Sequence, residues 1–353
     1  MAPVIRELKQ HPDDFQPITC NTGQHREMAD QLLGLFQITP DYNLDVMKPN
    51  QTLAGLTSML FARLDGVIRE VRPDWVLAQG DTTTVFAAAM TSYYHRACFG
   101  HVEAGLRTRD KFQPFPEELN RVVADHAADL LFAPTEESRH NLMLEGLPKD
   151  RIIVTGNTVV DALHMSIALR YDWKNGPLAR LDLTRQIVLV TTHRRESFGE
   201  PLQAVLNSVK SLAQEFPTTQ FVFPVHPNPN VNAPVHNTLS NISNILLLEP
   251  LDYLSLVNVM QLASLIITDS GGIQEEGASL GIPVLVLRET TERPEGLATG
   301  LVELVGTTPN LLLSKARHRL QTARSSNIRF ASPYGDGNAA RRIVEAIRNH
   351  RRD

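Results

Sequence analysis

Along the whole chain, short apolar runs rich in β-branched residues give way to longer stretches with helical spacing, and this alternation limits the possible folds more than any other feature. Strands separated by helices become parallel neighbours, because each crossover helix carries the chain back to the same edge of a sheet. In the first half the pattern predicts strands over 15–20, 75–79, 97–102, 130–133 and 152–155. A second set is predicted over 186–191, 220–225, 245–248, 265–268, 283–287 and 301–305. The 353 residues exceed what one core usually serves, about 250–300. The expected fold class is therefore α/β, with two Rossmann-like domains. Residues 1–165 are expected to form the first and 166–337 the second, with a stretch of linker composition at 171–177. A helix over 338–349, within a tail running to 353, is expected to fold back on the first domain. The chain opens on a helical pattern from Met1 to Leu8, so a strand that normally starts such a domain is expected to be missing.

Several classes of function are set aside by composition. A net charge of −5 gives no footprint for nucleic acid or for an anionic membrane, so an anionic ligand must be held by local cations and backbone groups. No run approaches the ~20 apolar residues of a membrane span. The two cysteines, Cys20 and Cys98, form no disulfide framework and show no metal-ligand spacing, which suits a reducing cytoplasm.

Polar clusters follow many of the strand candidates, at the edge where open α/β sheets bind ligands, so a cleft there is the expected active site. Gln79-Gly80-Asp81-Thr82 puts a carboxylate at a strand-to-helix junction, where Asp81 serves as readily as a cap. In His101-Val102-Glu103-Ala104-Gly105, Glu103 follows an apolar strand directly. Pro116-Glu117-Glu118-Leu119-Asn120-Arg121 reads as a helix start, with Glu117 and Arg121 spaced for a surface ion pair. Each acid has a bland explanation, but three around one cleft can have their pKa values driven apart, as proton removal and return at a carbon require.

Anion-binding features come from the second half. Ser270-Gly271-Gly272 opens a helix after a strand, where glycines let a diphosphate approach free N–H groups, and Glu276 lies within reach of ribose hydroxyls. His193, Arg194 and Arg293 add cationic groups at further strand ends, and His226 sits in a rigid proline-rich turn.

In order and over essentially the whole chain, these motifs resemble the non-hydrolysing UDP-N-acetylglucosamine 2-epimerases. The set includes Gly156-Asn157-Thr158, Thr192-His193-Arg194-Arg195-Glu196 and Thr290-Thr291-Glu292-Arg293-Pro294-Glu295 beside those above. The resemblance implies a GT-B-like pair of Rossmann domains, a homodimer, and no NAD or metal. It implies interconversion of UDP-N-acetylglucosamine and UDP-N-acetylmannosamine by elimination and re-addition of UDP. By motif, Asp81, Glu103, Glu117, Arg121 and His193 are the catalytic set, and Ser270, Gly271, Gly272, Glu276 and Arg293 seat UDP. Gln24, Glu117, Arg194 and His226 match an activator site for a second UDP-N-acetylglucosamine. The family's opening strand and its Gly-Thr-Arg-Pro-Glu loop are absent, Glu27 replaces a common Gln, and Met59 a common Arg. The first difference implies impaired turnover, and the other two altered activator binding. Three other readings stay open: a hydrolysing epimerase, a GT-B glycosyltransferase and a non-catalytic sugar-nucleotide binder. Product analysis separates them.

Overall fold

The alternation in sequence becomes a pair of parallel α/β layers in a computed structural model that describes residues 1–24, 26–194, 197–291, 293–322 and 332–350. The chain divides into two units, Met1–Ala162 with Tyr334–Asp353, and Leu163–Pro333. The first carries α1 (Ala2–Lys9), β1 (Cys20–Asn21), α2 (Arg26–Leu35), β2 (Tyr42–Asn43), α3 (Leu53–Val71), β3 (Trp75–Gln79), α4 (Thr83–His95), β4 (Cys98–Val102), α5 (Glu117–Ala127), β5 (Leu130–Ala133), α6 (Glu136–Leu144) and β6 (Ile152–Val154). Helix α7 (Thr158–Ile167) leads out of it. The second carries β7 (Gln186–Thr191), α8 (Glu200–Glu215), β8 (Thr219–Pro224), α9 (Pro229–Leu239), β9 (Ile245–Leu248), α10 (Tyr253–Leu262), β10 (Ala263–Thr268), α11 (Gly271–Ser279), β11 (Val284–Val286), α12 (Pro294–Ala298), β12 (Val302–Leu304) and α13 (Pro309–Gln321). Helix α14 (Ala339–Asn349) belongs to the first unit.

In the first unit the strands lie in the order β3-β4-β5-β6, all parallel, and β1 pairs with β2 as a separate short ladder. Both faces of this sheet are covered, which is why β5 is apolar at every position. Leu131 points to the core shared with Leu56, Leu60 and Leu64 of α3, while Phe132 points to the one shared with Val4 of α1 and Ile343 and Val344 of α14. Helix α14 is fixed at its start by Asp161, whose carboxylate accepts from the backbone N–H groups of Ala339 at 3.2 Å and Ala340 at 2.9 Å. Beside it, Gly156 adopts φ +86°, and a Cβ there would lie 3.2 Å from the Tyr334 carbonyl oxygen. Glycine thus lets the returning chain approach closely.

In the second unit the sheet runs β12-β11-β10-β7-β8-β9, all parallel. From β7 the chain winds outward through β8 and β9, then returns to the other side of β7 with β10. The order reverses between β7 and β10, and such a switch point leaves a crevice at the carboxyl ends of the two strands. Among the described residues, no helix is long and apolar enough to cross a membrane.

The ladder differs from the sequence expectation near the start. Of the run 15–20, Cys20 enters β1, while Phe15 packs beside α1 and α14. Pro17 within that run lacks the N–H a ladder position needs. Strand β2 was not expected, being two residues long.

Candidate active site

The carboxyl ends of β3 and β4 present the first cluster. Gly80 turns the chain at φ +86° after β3, and Asp81 follows with its side chain about one-third exposed. Arg121 reaches Asp81 from α5, its Nη2 donating to Asp81 Oδ2 at 2.5 Å, while Asn120 Nδ2 donates to the Asp81 carbonyl at 2.9 Å. Arg121 is buried, and its Nε and Nη1 make no hydrogen bond among the described residues, although Nη1 lies 3.3 Å from Glu118 Oε2. The expected Glu117–Arg121 ion pair is therefore replaced by pairs to Asp81 and Glu118. Glu118 points inward from the same turn, and its Oε1 accepts from the backbone N–H groups of Thr108 and Arg109. Glu117 is half-exposed on that turn.

Glu103, directly after β4, has φ +68°, a left-handed conformation unusual for a side chain of its size. Its Oε2 accepts from Gln79 Nε2 at 3.2 Å and lies 3.8 Å from where a Cβ on Gly80 would stand. Asp81, Arg121, Glu103 and the Gly80 turn thus form one group at adjacent strand ends. Gln24, 60 residues away in sequence, comes close in the fold: its Oε1 accepts from the hydroxyl and the N–H of Thr84, in the first turn of α4. Met59 packs against the core of α3 and α4.

The switch point of the second unit holds the second cluster, organised by Asp269. This side chain is fully buried, and its Oδ2 accepts from the Thr192 hydroxyl and the N–H groups of His193 and Arg194, each at 2.9 Å. Oδ1 lies 3.0 Å from His193 Nδ1. Burial alone would raise the pKa of Asp269, but the hydrogen bonds from His193 and Arg194 outweigh it and hold the carboxyl below its ordinary value. Arg194 Nε donates to the Asp269 carbonyl, tying that cation to the same junction. Ser270 starts α11, with Gly271 buried and Gly272 exposed. A Cβ on Gly272 would meet nothing within 4 Å, so the helix start is open there.

Glu276 is buried on α11, and Tyr253 Oη donates to its Oε1 at 2.8 Å. Burial pushes the Glu276 carboxyl up to about 7, with the Tyr253 hydrogen bond pulling it back. Arg293 is ion-paired to the buried Glu275. His226 stacks on His193 with ring centres 6.0 Å apart, and its Nδ1 accepts from the N–H of Asn228. Burial first, and then the neighbouring His193 charge, lower the His226 pKa. A concavity of about 140 Å³ opens beside these two rings, walled by Pro224, Pro250, Leu251, Leu256 and Ile273. A larger one, about 370 Å³, lies at the opposite ends of β3 and β4 among Arg69, Arg72 and Arg96 and includes none of the residues above.

Gln79, Glu118, Asp269, Tyr253 and Glu275 were not singled out by the sequence. Asp269 had a usable signal, since it directly precedes the Ser-Gly-Gly helix start at a strand end. The side chain of Glu27, and Arg195, Glu196 and Glu292 of the quoted motifs, lie outside the described residues.

A family model described as UDP-N-acetylglucosamine 2-epimerase matches residues 6–348. A Yersinia pestis protein named UDP-N-acetylglucosamine 2-epimerase is 47% identical over 365 residues, covering 99% of this chain and 95% of its own. The crystal structure of UDP-GlcNAc 2-epimerase from Neisseria meningitidis, bound to UDP-GlcNAc, aligns with TM-score 0.89 at 43% identity, covering 98% of this chain and 95% of that one. A Staphylococcus aureus MnaA–UDP co-structure aligns with TM-score 0.88 at 39% identity, over 98% of this chain and 92% of that one.

Proposed function

Because the chain belongs to the UDP-N-acetylglucosamine 2-epimerase family, we propose that it interconverts UDP-N-acetylglucosamine and UDP-N-acetylmannosamine by eliminating UDP and adding it back. The observation that carries this reading is the cluster of Asp81, Glu103 and the buried Arg121 at neighbouring strand ends. Inversion at carbon 2 needs one group to remove a proton and another to return it to the opposite face. Asp81, Glu103 and Glu117 are the acids and bases for that exchange. Arg121 keeps Asp81 in place and has further N–H groups to offer the sugar nucleotide.

The leaving UDP carries developing negative charge, which positioned donors stabilise. The start of α11 at Ser270, Gly271 and Gly272 supplies backbone N–H groups and the positive end of a helix dipole. His193, held at Nδ1 by Asp269, presents its other ring nitrogen for the departing oxygen. Glu276 receives the ribose hydroxyls. Arg293 stands by through its pair with Glu275. Gln24, Glu117, Arg194 and His226 bind a second UDP-N-acetylglucosamine that activates the enzyme, and the working form is a homodimer in the cytoplasm.

The test is incubation with UDP-N-acetylglucosamine in D2O, followed by NMR. The proposed reaction yields UDP-N-acetylmannosamine with deuterium at carbon 2. Free N-acetylmannosamine with UDP would make the chain a hydrolysing enzyme, and binding without turnover a sugar-nucleotide binder. Light scattering reads the dimer, and sigmoidal rate curves read the activator.

A further inference from the structure

Outside the residues that face the substrate, the first unit buries a row of charges that its packing does not require. Arg107 donates from Nε and Nη2 to the two oxygens of Glu145, each at 2.7 Å. The same Nη2 lies 2.7 Å from Asp125 Oδ2, and Asp125 Oδ1 lies 2.6 Å from His101 Nδ1. His101 Nε2 then reaches the Gly80 carbonyl at 2.8 Å. The side chains of His101 and Asp125 are 0% exposed and that of Arg107 2%, against 28% for Glu145. Burying such charges is costly, and well-packed apolar side chains often serve stability as well or better.

We propose that this chain of charges is the positioning device of the acid cluster, with His101 and Asp125 as positioning residues for Asp81 and Glu103. The inference rests on the reading given under Proposed function. Two adjacent members of the device, His101 and Asp125, touch backbone beside an acid. Through His101 it holds the carbonyl of Gly80, the residue before Asp81. Asp125 Oδ2 also accepts from the N–H of Gly105, two residues beyond Glu103, at 3.3 Å. Between these points Glu103 sits in a left-handed conformation, which is strained for such a side chain and persists where the surroundings over-determine it. One buried carboxylate thereby ties together the turns that follow two adjacent strands.

The hydrogen bonds also set the charge of His101. Its neighbours at the two ring nitrogens are a carboxylate oxygen and a carbonyl oxygen, both acceptors, so both nitrogens carry protons. Burial opposes that charge, but the field and hydrogen bond of Asp125, the Gly80 carbonyl and the more distant Glu103 outweigh it and raise the pKa of His101. The Phe99 ring lies alongside at 6.1 Å and adds no titrating group.

The experiment compares the full chain with His101→Gln and Asp125→Asn, measuring kcat and KM for UDP-N-acetylglucosamine and calorimetric UDP affinity. A displaced acid can lower the rate by about 10- to 100-fold, so kcat should fall by that factor while UDP affinity stays the same. Leu60→Ala, a core truncation on α3, gives the control: it lowers the melting temperature without lowering kcat below that temperature. If His101→Gln retains full kcat while the wild type is active, the proposal is overturned. A wild type that does not turn over UDP-N-acetylglucosamine would count against the reaction rather than the device. In that case, or if a variant fails to fold, 15N NMR of the wild-type histidines decides. His101 protonated on both nitrogens at a pH where an ordinary imidazole has lost its charge supports the device, and a neutral tautomer there overturns it.

Discussion

Replacing a carboxylate with its amide keeps its shape and removes its proton chemistry. Asp81→Asn, Glu103→Gln and Glu117→Gln should each lower turnover by about 10²–10⁴-fold, the usual share of acid–base catalysis. Calorimetry should find UDP affinity nearly unchanged, because these groups act on the sugar. Glu276 behaves differently. Its carboxyl, pushed up to about 7 by burial, is protonated in the fold well above the ordinary 4.5. A raised acid favours the protonated fold, so this group's stabilising effect is full below pH 4.5 and is lost as pH rises through about 7. Ribose hydroxyls donate to the ionised form, so UDP binding should release a proton and tighten by about tenfold from pH 6 to 8. Titrations in buffers of different ionisation heat read the proton, and Glu276→Gln should flatten that part of the profile. At this scale the sequence showed the acids that follow strands, such as Asp81 and Glu103, because position along the chain marks them. It could not show Asp269 holding His193 or Tyr253 holding Glu276. Those partners are 76 and 23 residues apart, and only the closed sheet brings them together.

Helix starts are where an element most directly becomes a binding surface. On α11 the two glycines differ: Gly271 is buried, so a branched side chain there would disturb the fold as well as the site. Gly272 is exposed and open. Gly272→Val should leave the melting temperature within a degree or two of wild type, roughly what a surface substitution does. It should weaken UDP binding about tenfold or more, the loss of one hydrogen bond to a charged group. Unchanged UDP affinity in a folded Gly272→Val protein would remove this seat. The elements themselves were legible where burial on both faces makes a strand continuously apolar, as along β5 and through the middle of β7. Near the start that signal failed. The run 15–20 has strand composition, yet Pro17 and the packing of Phe15 leave Cys20 as its contribution to β1. Strand β2 has too few residues to show a period.

The reversal of strand order between β7 and β10 follows from pairing between distant segments, which no local pattern encodes. The alternation of strands and helices nevertheless made a parallel α/β architecture legible, because crossover connections leave few other arrangements.

Unit membership also has a consequence for the order in which the protein can be built. The second unit is one continuous stretch, Leu163–Pro333, whereas the first needs residues from both sides of it, ending with the segment that contains α14. During synthesis the ribosome releases the last part of the first unit after the whole of the second. Until then Val4, Phe132 and Leu130 lack the α14 side chains that cover them, and the growing chain exposes an apolar sheet face that invites aggregation. The second unit has no such wait. Expressed alone, residues 163–333 should unfold cooperatively in urea, while 1–162 alone should be recovered mainly as aggregate. A peptide of residues 334–353, supplied during refolding, should restore solubility to 1–162. Equal solubility of 1–162 with and without the peptide would show that the sheet face tolerates the delay.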